Sequence, residues 1–356
     1  MESNTDRPRP SGMVMFDYNP MSPAQWGLVP LSVHTYVYRD ITAAIAALDY
    51  WVQRIWSKRA SDGEAPPTEL PFRILYRGES DISTRLLPSL LSGPRPKPDQ
   101  PERYRYAIEG SDAVRNENGD WFEKDPEFRS ADRLLDNLSA EWLSECGSRE
   151  RDALNRAMQF PEIVALDPFR RLAAVRHYGG TPSPILDVTT SLKVAAYFAS
   201  HSGSSNDSRT RAGKIGVLWA IDLTMLARLF KVKIANLPEG TAVTLTVPKK
   251  EWGDNEKMFA DQSIPTVSVV FRDSRLPLPR PLAQKGAFLS FTREDGTFLP
   301  LRAQLHWWSL IERWSYSCGF IHTGQGYTEE AENIATAALF PAADKYLSIA
   351  GTNMGA

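Results

Sequence analysis

The first regular signal along the chain is a stripe of apolar residues at three- and four-residue spacing: Ile41, Ile45, Leu48, Val52 and Ile55, with Asp49, Gln53 and Arg54 off the stripe. Asp40 stands where an N-cap belongs, so the spacing predicts a packing helix from residue 41. A polar, proline-containing linker is expected over 60–71. The run Phe72-Arg73-Ile74-Leu75-Tyr76-Arg77-Gly78 after it reads as a β-strand closed by glycine. Another proline-rich loop covers 91–101. Helical patterns follow: 131–146 with Leu134, Leu135, Leu138, Trp142 and Leu143, then 151–160 and 169–177. Later segments read as strands: 215–221, ended by Asp222, then 241–247, 267–271 and 284–291, the last beginning with the polar Gln284. The segment 202–213 reads as a flexible connection. The aromatic run from His306 through Trp307, Trp308 and Trp314 to Tyr316 suits a core or a helix face. A last helix is expected over 328–338.

The stretch 176–200 interrupts this regularity. His177, Tyr178 and the pair Gly179-Gly180 are followed by Pro182 and Pro184, which forbid a return to helix. A short apolar run, Ile185-Leu186, leads to Asp187 and the hydroxyls of Thr189, Thr190 and Ser191. Val194 to Ala199 then suits a buried helix. The pattern predicts strand, hydroxyl-rich turn and helix, with the Ser191 hydroxyl accepting from a free N–H of the first turn. An aspartate, three hydroxyls and a His-Tyr pair on one forced turn point to a polar pocket, because loops held by rigid elements carry function.

Composition narrows the class. With 42% hydrophobic residues, 10 Trp, 12 Tyr and 15 Phe, the chain can bury a substantial core, and disorder throughout is excluded. Lys plus Arg number 41 against 43 for Asp plus Glu, a net charge of -2, so nothing global favours nucleic acid or an anionic membrane. Arg149, Arg151, Arg156, Arg170, Arg171 and Arg176 are interleaved with Glu150, Asp152, Glu162 and Asp167, the pattern of a solvated face. Cys146 and Cys318 are too few for a disulfide scaffold and suit a reducing compartment. The polar N-terminus and the absence of any apolar run of about 18 residues lead us to expect a cytoplasmic protein without membrane association.

The common catalytic motifs are absent: no GxxxxGK[ST], complete GxGxxG, HExxH or GxSxG occurs. The five histidines lack metal-ligand spacing, and no metal is expected. Three polar placements remain. Arg77 closes a strand, where its guanidinium fork could grip phosphate or carboxylate oxygens while Tyr76 points to the opposite face. Thr189, Thr190 and Ser191 precede a helix. Gln284 opens a late strand.

The words His177-Tyr178-Gly179-Gly180 and Ile185-Leu186-Asp187-Val188-Thr189, with the helix ending Tyr197-Phe198-Ala199, resemble the central signature of the FRG domain. Tyr76-Arg77-Gly78 resembles its name-giving motif, Gln284-Lys285-Gly286-Ala287-Phe288 its third block, and Leu339-Phe340-Pro341 its closing block. Arg176 stands where many members have Gln, Gly180-Thr181 resembles a one-residue insertion, and Val188 replaces a frequent Trp. The resemblance implies an N-terminal tail and amphipathic helix over 1–66, an FRG domain over 67–350 and a C-terminal tail over 351–356. A looser resemblance in the order of Arg77, Thr189-Thr190-Ser191 and Gln284 is to ADP-ribosyltransferases. It implies an α+β fold whose twisted mixed sheet is split around a cleft, with a helical insertion and an N-terminal helix. It also implies that NAD is consumed as substrate, with Arg77, Asp187 and Gln284 catalytic and Tyr76, Gly78, His177, Tyr178, Thr189, Thr190, Ser191 and Phe288 holding NAD. Gln284 could orient a ribose hydroxyl but cannot act as a carboxylate base. The function expected is an ADP-ribosyltransferase-like toxin or antiviral defence effector. It would act on a nucleic acid or protein acceptor, with a neutralising partner protein. The alternative is a non-catalytic nucleotide-binding or protein-interaction module on the same fold.

Overall fold

The computed structural model describes residues 15–16, 36–38, 40–61, 74–80, 86–92, 138–201, 215–222, 233–237, 240–246, 268–274, 276–292, 297–322, 339–341 and 344–351. In chain order the elements are β1 (Met15–Phe16), β2 (Tyr36–Tyr38), α1 (Ile41–Ser61), β3 (Ile74–Glu79), α2 (Ala140–Ala157), α3 (Pro161–Val164), α4 (Pro168–Gly179), β4 (Leu186–Thr189) and α5 (Leu192–Ser200). They continue with β5 (Ile215–Asp222), β6 (Lys233–Leu237), β7 (Gly240–Thr246), β8 (Ser268–Ser274), α6 (Pro279–Ala283), β9 (Gly286–Thr292), α7 (Leu301–Trp314), β10 (Tyr316–Ile321) and a closing 3-10 helix (Lys345–Ala350). The helix expected over 328–338, the connections 93–101 and 202–213, most of the linker 60–71, Leu134 and Leu135 lie outside the described residues.

The fold is mixed α+β. One ten-stranded sheet runs in the order β1-β2-β10-β5-β3-β4-β9-β8-β7-β6. Every pairing is antiparallel except β10 with β2, so the sheet is mixed, as expected. β3 pairs with β5 over six residues, from Ile74↔Asp222 to Glu79↔Val217, but meets β4 only at Tyr76↔Thr189. β4 pairs in turn with β9 from Leu186↔Leu289 to Thr189↔Gly286. The centre of the sheet is therefore held by a single bridge.

Helices cover both faces. Over β5 and β10, α1 and α5 bury Ala44, Leu48, Ala195, Ala196 and Ala199 against Leu218, Ala220 and Phe320. Small residues on α5 let it approach the strands closely. Phe288 joins Ala153 and Ala157 of α2 and Ala173, Ala174 and Val175 of α4 in a second core. Phe291, three residues on and hence on the other face of β9, stacks edge-on with Trp308 of α7 at 4.9 Å between ring centroids.

Local chemistry explains most of the ends. Asp40 caps α1, its carboxylate accepting from the Ala43 N–H at 2.8 Å, and Asp167 caps α4 by accepting from Arg170 N–H at 3.0 Å. Gly180 closes α4 in the left-handed conformation (φ 60°), the role glycine fills without steric cost. The two helices expected over 131–146 and 151–160 are instead one helix, α2, running through Gly147, since an interior glycine costs about 1 kcal/mol and does not by itself end a helix. β10 carries Ser, Cys and Gly and has little strand character of its own. Its pairing with β5 and β2 makes it a strand.

Candidate functional site

Beyond the Tyr76↔Thr189 bridge β3 and β4 part, and Arg77 spans the opening. Its Nη1 donates to the Asp187 carbonyl at 2.5 Å, its Nη2 pairs with Glu79, and its Nε is enclosed with no partner. A side chain thus supplies a link that ladder hydrogen bonds supply elsewhere. Gly78 answers a different need. A Cβ there would overlap the Ala195 carbonyl of α5 and lie 2.9 Å from the Ala199 Cβ, so backbone of α5 fills the space. The missing side chain of Gly78 makes room for a helix.

Asp187 gathers the charged groups. Its Oδ2 lies 3.4 Å from Nη2 of Arg176, on the last turn of α4, while its Oδ1 is buried without a hydrogen bond. Arg176, read in sequence as part of a solvated face, is drawn inward because α4 continues to Gly179 and its last turn faces β4. His177 packs edge-on against Phe288 at 5.6 Å, and its Nε2 is buried and unpartnered. Burial pulls its pKa down to about 4; Asp187 opposes this, and Arg280 and Arg176 add to it. His177 is a neutral imidazole at pH 7. Arg280 of α6 completes the group. Its guanidinium lies over the Phe340 ring at 4.7 Å, its Nε is buried without a partner, and burial pulls its pKa down against the fields of Tyr178, Asp344 and Asp187.

Two hydroxyls of the cluster, those of Thr189 and Thr190, are spent on structure. The Thr189 Oγ1 donates to the Gln284 carbonyl at 2.8 Å and accepts from the Ser191 N–H at 3.1 Å, while Thr190 donates from both N–H and Oγ1 to the Lys285 carbonyl. Ser191 occupies the N-cap position of α5, yet its hydroxyl makes no capping bond, contrary to the reading from sequence. Thr189 has folded the turn instead. Gln284 does not open a strand either: β9 begins at Gly286, and Gln284 ends the short α6. Its buried amide donates from Nε2 to the Leu339 carbonyl at 3.1 Å, fixing the segment that carries Phe340. Lys285 next to it takes φ 47°, the left-handed turn between α6 and β9. Gln284→Ala should cost about 1–3 kcal/mol, because it leaves the Leu339 carbonyl unmet. Urea unfolding measures it, and a smaller loss would mean that water replaces the amide.

Tyr178 organises the neighbourhood from inside. Its hydroxyl donates to Asp344 Oδ2 at 2.8 Å and accepts from the Arg280 backbone N–H at 3.2 Å, and burial raises its pKa. Phe288 is core. Tyr76 packs with the α1 and α5 cluster, and burial followed by the field of Asp49 raises its pKa. The structure thus brings together Arg77, Arg176, His177, Asp187 and Arg280, and draws Thr189, Gln284, Tyr178 and Phe288 into the scaffold around them.

Residues 73–208 match the FRG domain family model. Neither a curated protein nor a solved structure matches the chain. The FRG match takes in Arg77, Gly78, Arg176, His177 and Asp187; Arg280, Gln284, Phe288 and Phe340 lie beyond it. Sequence reading missed Arg280, and nothing local in Pro279-Arg280-Pro281 separates it from an ordinary surface arginine. Among the described residues, no group of three His, Cys, Asp or Glu is placed to hold a metal ion, and no helix is long and apolar enough to cross a membrane.

Proposed function

We propose that the chain is an ADP-ribosyltransferase-like enzyme that consumes NAD where β3 and β4 part, in the cytoplasm. The parting is read as the cleft that such a fold requires. The observation that carries this reading is Asp187: one carboxylate oxygen faces Arg176, the other is buried and unpartnered, and its charge is felt by Arg280. In the proposed reaction the bond between the nicotinamide nitrogen and ribose C1′ breaks, and its electron pair neutralises the pyridinium. The acceptor's nucleophile bonds to C1′, and its proton passes to Asp187. The developing positive charge on the ribose is stabilised by the same carboxylate. Arg77 acts as a positioning residue here, because it holds the Asp187 backbone through its carbonyl. A nucleic acid or a protein would serve as acceptor.

A second reading, a nucleotide-binding module without turnover, is favoured by the commitment of Thr189 and Gln284 to backbone carbonyls. Nicotinamide release from NAD, measured with protein and nucleic-acid acceptors present, separates the two. The enzyme reading expects release by the wild type and a loss of about 100-fold or more in Asp187→Asn, the scale of a lost general base. Binding of NAD with no release under any acceptor would leave the module reading standing.

A further inference from the structure

Among the carboxylates of the cluster, each is engaged through at least one oxygen. Glu79 is held by Arg77, Asp187 by Arg176, and Asp344 accepts from the Tyr178 hydroxyl on Oδ2 and from the Tyr346 N–H at 3.1 Å on Oδ1. Arg280 is left over. Its Nε is buried with no hydrogen-bond partner among the described residues, and its Cζ lies over the Phe340 ring. Its backbone is nonetheless held by Tyr178, and the segment bearing Phe340 by Gln284. Burying a guanidinium N–H without an acceptor is expensive, and an arginine held in that state is a site prepared for an anion. A guanidinium carries its donors along its edge and can leave a face to a ring, a combination that phosphate oxygens accept.

We propose that Arg280 is a phosphate-binding residue, which together with Arg176 and the Nε2 edge of His177 grips the diphosphate of a nucleotide beside Asp187. Phe340 and Gln284 are its positioning residues. The inference deepens the nucleotide reading of the same site but does not depend on turnover. It also moves the phosphate contact from Arg77, whose terminal nitrogens are occupied, to Arg280.

The test is calorimetric titration of the full chain with ADP and with inorganic pyrophosphate. Both should bind the wild type, and Arg280→Gln should weaken both by about 10- to 100-fold, the worth of charged hydrogen bonds. Phe340→Leu keeps the charge but removes the ring beneath it, and should weaken binding by about 3- to 10-fold. If Arg280→Gln fails to fold, Arg280→Lys keeps the charge without the planar fork and should still lose affinity. Failure of ADP and pyrophosphate to bind the wild type, or equal affinity of wild type and a folded Arg280 variant, would overturn the proposal. Anion binding that depends on Arg280, in a chain that releases no nicotinamide, would sustain it while the enzyme reading falls.

Discussion

Gly78→Ala should destabilise the protein by at least about 3 kcal/mol, more than most single substitutions, and on heating the variant should unfold well below the wild type. The added methyl has nowhere to go. Its position falls on the Ala195 backbone carbonyl and against the Ala199 Cβ, and backbone inside a helix cannot swing aside as the end of a long side chain can. Relief requires α5 to lift from β3, which opens the packing of Ala195, Ala196 and Ala199 against α1 and the strands. Gly147→Ala is the matched control: it lies in α2 with nothing within 4 Å of the new Cβ, and should stabilise by up to about 1 kcal/mol. Similar melting temperatures for Gly78→Ala and wild type would mean that α5 stands farther from the sheet.

Stability should fall between pH 6.5 and pH 4 by roughly 3 kcal/mol on account of His177 alone. The sign follows from burial. The folded imidazole has a pKa of about 4 against 6.5 for an unrestrained histidine, so across that window the unfolded chain binds a proton that the folded chain refuses. The stabilisation is complete above pH 6.5 and lost as pH falls through the window. Arg176 and Arg280 deepen the refusal, and Asp187 moderates it. Urea unfolding at pH 7 and pH 4 should therefore show a smaller acid loss in His177→Phe than in wild type, whatever the two absolute stabilities. Equal losses would mean that the imidazole reaches water on protonation.

Both expectations involve positions that stood out in sequence for other reasons. Gly78 was expected to hold NAD only because the resemblance implied it. Nothing local says whether a ligand or a helix approaches it, and in the fold α5 does. Gln284 is similar: its place beside β9 was legible, but the direction of its amide depended on the segment at Leu339, 55 residues away. Arg280 could not be recognised at all, since an unpaired charge is a property of what surrounds it.

The capped helix after Asp40, the glycine stop after α4, the strand ending in Arg77-Gly78 and the turn before α5 were determined by the sequence alone. Each rests on spacing, capping or backbone restriction within a few residues. The tertiary structure decided which polar groups were consumed and which were spared. Thr189 lost its hydroxyl to the Gln284 carbonyl, Arg176 turned inward to Asp187, and Arg280 came to rest on Phe340 without a counter-ion among the described residues. Hydrogen bonds and ion pairs reach only a few ångströms. Their partners here come from strands and helices far apart in the chain, so the site exists only once β3, β4, α4 and α6 have packed together.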